Sequence, residues 1–136
     1  MNFYSFEEKT ENDSFITDIR ATAASFYPTQ DLWGYEIWQK DSSTDIHLDK
    51  DETLYERRGI LSFPVCSVIF YYEVSDDIEG GELYCPNDWV IFPKQNRLVI
   101  FGPAIRHGVS DFTGTRKSVL VNFWEYRLGT IPKNIP

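Results

Sequence analysis

The residues of this chain best suited to chemistry are His47, Asp49, His107 and Arg116, and the first three of them include its only two histidines. In an extended strand, side chains at i and i+2 share a face. The triplet His47-Leu48-Asp49 therefore presents one imidazole beside one carboxylate. A second imidazole from His107, on a remote strand-like segment, completes a set of two nitrogens and one oxygen. That set, with coordination positions left open, suits non-haem Fe(II). Nine residues beyond His107 stands Arg116, followed by Lys117 and Ser118. On one strand face, the guanidinium fork of Arg116 and the hydroxyl of Ser118 match a carboxylate. Lys117 points to the opposite face.

These side chains need a framework that joins distant segments. Asp13 or Ser14 is a suitable N-cap. Behind it Phe15, Ile19, Ala23 and Phe26 recur at helical spacing, and Pro28 ends the run. The stripe predicts a helix packed on a sheet. From Trp33 the pattern changes to aromatic-rich extended segments at 33–39 and 44–49, separated by a turn at 41–43. Residues 50–63 are charged and read as a loop leading away from His47 and Asp49, suited either to a lid or to a solvated surface. The segment 64–74 is the clearest strand. Its face Cys66, Val68, Phe70, Tyr72, Val74 is nearly all apolar and is expected to point inward, with Tyr72 as its buried hydroxyl. Shorter strands are expected at 82–85, 89–92, 97–101 and 105–109, and a last one at 116–126 with Arg116, Ser118, Leu120, Asn122 and Trp124 on one face. Asn122 on that face either reaches the pocket or packs the core. Asp45 either supports His47 and Asp49 or is a surface carboxylate. The first 12 residues pack an edge or lie on the surface, and residues 127–136 form a loose tail. One helix followed by about eight short strands predicts a mostly β protein, a double-stranded β-helix (jelly roll) with an N-terminal helix. An open sandwich is the alternative.

The same residues resemble a known family, the Fe(II)- and 2-oxoglutarate-dependent dioxygenases, in their prolyl-4-hydroxylase-like branch. The resemblance rests on His47-Leu48-Asp49, Phe70-Tyr71-Tyr72, Gly80-Gly81-Glu82-Leu83, the run from Asn96 to Phe101, His107-Gly108-Val109 and Gly114-Thr115-Arg116-Lys117-Ser118, over about residues 33–124. It implies that His47, Asp49 and His107 hold the metal. It also implies that Arg116, Tyr72 and Ser118 receive the distal carboxylate of 2-oxoglutarate, with Leu83 on the pocket wall. The implied cofactors are Fe(II), 2-oxoglutarate and O2, with ascorbate as a further candidate. The implied reaction is hydroxylation of a peptidyl substrate, prolyl by analogy, or of a small molecule, coupled to decarboxylation of 2-oxoglutarate to succinate. Trp33, Tyr35, Trp38, Arg57 and Arg58 are candidates for the substrate's surroundings. The competing class is a non-catalytic cupin-like module that binds a metal or a small ligand. A nucleic-acid demethylase relative is disfavoured, because the second arginine usual in such relatives is here Asn122.

Composition agrees with a single domain over residues 1–136: the chain is 42% hydrophobic and 16% aromatic, enough for a real core. The net charge of −8 argues against a phosphate-backbone binder, so no nucleic-acid partner is expected. No segment approaches a membrane span and the N-terminus lacks the features of a signal peptide, so a cytoplasmic setting without membrane attachment is the expectation. Cys66 and Cys85 read as small apolar thiols rather than a disulfide.

Overall fold

The computed structural model describes residues 2–131 and shows eleven strands and two helices. In chain order these are β1 (Asn2–Ser5), α1 (Asp13–Ala23), β2 (Gly34–Lys40), β3 (Thr44–His47), α2 (Glu52–Arg58), β4 (Cys66–Val74), β5 (Glu79–Gly80), β6 (Leu83–Cys85), β7 (Trp89–Ile91), β8 (Leu98–Phe101), β9 (His107–Val109), β10 (Phe112–Thr113) and β11 (Arg116–Trp124). One sheet runs β1-β2-β11-β4-β8, a second runs β3-β9-β6-β7, and β10 pairs with β5. All the pairings are antiparallel. The chain passes back and forth between the two larger sheets, from β2 to β3, β4, β6, β7, β8, β9 and β11. With β1 added at one edge, this is the expected jelly roll. Among the described residues no helix is long and apolar enough to cross a membrane.

The apolar residues sort into two layers. Ile16, Ile19 and Ala23 of α1 pack on Tyr35, Cys66, Val68, Val121 and Phe123, on one face of the five-stranded sheet. This helix was legible from its stripe. Phe26, read as part of that stripe, lies beyond the helix end and is 71% exposed. Between the sheets, Ile69, Tyr71, Leu83, Val99, Phe101 and Val109 form the second layer, with Leu120 packed against it. Each large aliphatic group so buried contributes about 1.5–3 kcal/mol.

Three expectations need correction. Residues 50–63 are not simply a loop, since α2 occupies their middle. Its signals are local: the Asp51 side chain accepts from the backbone N–H of Leu54 at 3.0 Å, and Gly59 ends the helix in the left-handed region. Residues 127–131 are anchored rather than loose, because Gly129 N–H donates to the other Asp51 oxygen at 2.7 Å; the rest of the expected tail lies outside the described residues.

The third correction concerns Tyr72. In β4 the whole stretch Cys66–Ile69 is buried, because α1 covers one face and the second sheet covers the other. The more apolar face lies under the helix, and the interior of the roll is lined instead by Ser67, Ile69 and Tyr71. Pairing with β11 then slips: Lys117 faces Glu73 while Ser118 faces Tyr71, so Tyr72 is the extra residue of a bulge. Tyr72 points outward and its hydroxyl lies 3.4 Å from the Gln39 side chain.

Candidate metal centre

Strand pairing brings the two histidines together. In the antiparallel pair β3–β9, Thr44 faces Val109 and His47 faces His107, with an irregularity between them. Three steps along β3 span two steps along β9. Without this extra residue, Ile46 rather than His47 would oppose His107. The rings end with centroids 4.4 Å apart, and the His107 and Phe101 rings meet edge to face with centroids 4.7 Å apart. Asp49 follows two residues beyond His47. Its Oδ1 is 3.3 Å from His47 Nε2, and its Oδ2 is 3.6 Å from His107 Nε2. One ligand atom from each of the three residues lies within 4.8 Å of the others, a spacing that one cation could span.

The outer nitrogens fix what the inner ones can do. His47 Nδ1 is 2.8 Å from the carbonyl of Asp45, and His107 Nδ1 is 2.8 Å from the carbonyl of Ile105. A carbonyl only accepts, so each Nδ1 carries the hydrogen. The neutral ring then turns a lone pair at Nε2 toward Asp49, as metal-binding histidines do when a backbone oxygen sets their tautomer. Two lone pairs and a carboxylate converge, and only a proton or a cation satisfies them. This donor set fits Fe(II) or another divalent first-row metal. Asp45 thus supports His47 through its backbone, while its side chain is exposed.

The charges respond accordingly. Hydrogen bonding to Asp49 raises the pKa of His47, with burial opposing. Burial pulls His107 down. Burial alone would raise Asp49, but the hydrogen bond from His47, the two imidazoles and Ser67 together hold its carboxyl below the usual range.

A cavity of about 450 Å³ opens on this corner, lined by His47 and Asp49 together with Trp38, Glu36 and Asn122. Of the aromatic residues read as candidate surroundings, Trp38 lines this cavity. Trp33 stacks on Phe3, and Tyr35 is core, its hydroxyl 2.9 Å from that of Thr10. Arg57 and Arg58 are exposed at the end of α2.

A second cluster surrounds Arg116. Its side chain is 2% exposed and, among the described residues, meets no carboxylate within ion-pair distance. Nε donates to the carbonyl of Gly81 at 2.8 Å and Nη2 to the hydroxyl of Tyr71 at 3.3 Å, while the guanidinium carbon stands 4.9 Å from the centre of the Tyr71 ring. Gly81, at φ +76°, admits this packing: a Cβ there would lie 2.9 Å from Arg116 Cδ. Leu83 is fully buried in the layer that contains Tyr71. Burial pulls the Arg116 pKa down and the Tyr71 pKa up, yet a guanidinium stays charged. Tyr71 therefore holds the place expected of Tyr72. Ser118 is buried as expected, but its hydroxyl donates to the carbonyl of Lys40 at 3.2 Å, which takes the proton a carboxylate would need. Lys117 pairs with Glu73 on the outer surface. Both cysteines are free, and burial pushes the Cys66 thiol up to about 12.

Reading the sequence missed Glu36, Ser67 and Tyr71. The signals were present: Ser67 is a lone hydroxyl in an apolar strand, and Tyr71 lies on the face of β4 that has fewer apolar residues.

No protein-family model matches the chain, and no curated protein sequence matches it. Among solved structures it is similar to an oxidoreductase of the 2OG-Fe(II) oxygenase family from Burkholderia pseudomallei, at 20% identity and a TM-score of 0.49, over 70% of this chain and 45% of that one. It is also similar to IDO from Bacillus thuringiensis, at 13% identity and a TM-score of 0.50, over 88% of this chain and 63% of that one. The second likeness is one of fold. The chain spans less than two thirds of the length of either structure.

Proposed function

We propose that this chain is an Fe(II)- and 2-oxoglutarate-dependent dioxygenase that hydroxylates a peptidyl (prolyl by analogy) or small-molecule substrate. The observation that carries the reading is the convergence of His47 Nε2, His107 Nε2 and an Asp49 oxygen in a jelly roll that also buries an uncompensated guanidinium. Fe(II) held there would supply O2 activation coupled to decarboxylation of 2-oxoglutarate.

The chain's own residues do the rest. His47, His107 and Asp49 would hold the ion through one atom each. Arg116 supplies the positive charge for the cosubstrate's distal carboxylate, with the Tyr71 hydroxyl beside it. Burying that carboxylate unpaired would be prohibitive. Trp38 gives the cavity next to Asp49 an apolar wall against which a substrate would lie close to the reacting centre.

Conversion of 2-oxoglutarate to succinate by the Fe(II)-loaded protein tests the reading. Arg116→Ala should weaken 2-oxoglutarate binding about 10–100-fold, the loss of roughly 1.5–3 kcal/mol in charge-assisted hydrogen bonding. Unchanged cosubstrate affinity in that variant would remove Arg116 from the role. Metal binding without any binding of 2-oxoglutarate would favour the metal-binding module instead.

A further inference from the structure

Behind Asp49 runs a row of polar side chains that the proposed chemistry does not use. Glu36 on β2 faces Asn122 on β11, and Asn122 faces Ser67 on β4. All three are at most 7% exposed. The row is anchored at one end by Trp124 Nε1–H, which donates to Glu36 Oε1 at 2.7 Å. At the other end Ser67 Oγ lies 3.1 Å from Asp49 Oδ2 and 2.6 Å from Asn122 Oδ1.

The direction of the row follows from counting hydrogens. Ser67 has one hydroxyl hydrogen and two neighbours. An ionised Asp49 can only accept, so that hydrogen belongs to Asp49 Oδ2; otherwise two sets of lone pairs would face each other. Asn122 must then donate to Ser67 through its NH2, with the amide turned end for end from the orientation that places Oδ1 beside Ser67. The two ends of an amide have the same shape, so this orientation costs no space. It turns the Asn122 carbonyl toward Glu36. A carboxylate there would face an acceptor, whereas a carboxylic acid would donate to it.

We infer that Trp124, Glu36, Asn122 and Ser67 form a one-directional hydrogen-bond chain, neutral at Glu36, that occupies Asp49 Oδ2 and leaves Oδ1 as the single metal-binding oxygen of that residue. The chain rests on the metal reading above, and its members are positioning residues. Burial is the largest influence on Glu36 and raises its pKa, against the hydrogen bonds from Trp124 and from Asn122 in its unflipped orientation.

The test is Co(II) titration of the whole protein, with the visible d–d spectrum as a second readout. Ser67→Ala should weaken Co(II) binding about 10–100-fold, the usual cost of losing a partner behind a ligand. It should also change the spectrum as Asp49 becomes free to chelate through both oxygens. Ser67→Thr, which keeps the hydroxyl, should restore both. Glu36→Gln keeps a neutral donor and should bind Co(II) as the native protein does. Infrared difference spectra between the native protein and Glu36→Gln should show loss of a protonated-carboxyl C=O band in the metal-free protein. Native affinity and spectrum in Ser67→Ala would overturn the positioning role, and absence of the carboxyl band would overturn the neutral Glu36. If the native protein binds no Co(II), the metal reading itself fails and the positioning role falls with it, while the infrared result still decides the protonation of Glu36.

Discussion

The two faces of the five-stranded sheet are built by the same alternating strands to opposite ends. Under α1, the sheet presents Tyr35, Cys66, Val68, Val121 and Phe123, and the contacts are almost wholly apolar. Inside the roll, the same strands present Glu36, Ser67, Tyr71, Arg116 and Asn122 among a thinner set of apolar residues. The helix face maximises burial. The inner face contains buried polar groups that each need a partner, and it tolerates them because strand register supplies one: Glu36, Asn122 and Ser67 stand in a single cross-strand row. The difference teaches that in a strand covered on both sides the most hydrophobic face is a poor guide to the pocket. The pocket is on the side where polar residues interrupt the pattern.

That comparison can be broken first from the helix side. Ile19→Ala removes a side chain that is 4% exposed and should cost about 2–5 kcal/mol of stability in chemical denaturation, with no change in Co(II) affinity of the folded protein. A loss of metal affinity comparable to that of Ser67→Ala would mean that the two faces are not independent.

The inner face should instead answer to pH. The His47 pKa is raised chiefly by its bond to Asp49. A metal ion must displace that proton, so affinity should climb up to tenfold per pH unit until the raised value is passed, then level off. The metal-free protein behaves oppositely. A raised folded pKa stabilises below the unfolded value of roughly 6.5, and the benefit is lost as pH rises through the folded value. Asp49, held below its usual range, must also be ionised. The melting advantage of the metal-free native protein over His47→Gln should therefore appear at mildly acidic pH and vanish in alkali. An advantage that grows with pH would contradict the ion pair.

The smallest effect separates two adjacent tyrosines. Tyr71→Phe removes a neutral hydrogen bond beside Arg116 and should weaken 2-oxoglutarate binding about 3–10-fold, equivalent to roughly 0.5–1.5 kcal/mol. Tyr72→Phe should change nothing, because its hydroxyl lies on the outer surface near Gln39. The reverse ranking would restore the face that alternation alone selects.

How much was legible follows from the range of the forces involved. The His47/Asp49 pair, α1 and the faces of β11 depend on spacing within one element, and the sequence carries that spacing directly. His107 was legible as the second of only two histidines and Arg116 by its distance from it, and the likeness of motif order joined the two to one site. The two bulges were hidden, since an extra residue in β3 or β4 appears only once the partner strand is aligned. One of them places His47 opposite His107, and the other, at Tyr72, brings Val74 opposite Arg116; the exchange of Tyr72 for Tyr71 follows instead from α1 covering the more apolar face of β4. The Asp51 and Gly59 caps of α2 were readable by ordinary capping rules, and the charged composition of residues 50–63 masked them.

The most direct measurement is titration of the native protein and of Asp49→Ala with Fe(II) or Co(II) under anaerobic conditions, with folding checked by circular dichroism. The native protein should bind one ion, and the folded variant should bind none in the same range. A native protein that takes up no metal, or a variant that binds as tightly as the native protein, would contradict the central claim that His47, Asp49 and His107 form a metal centre.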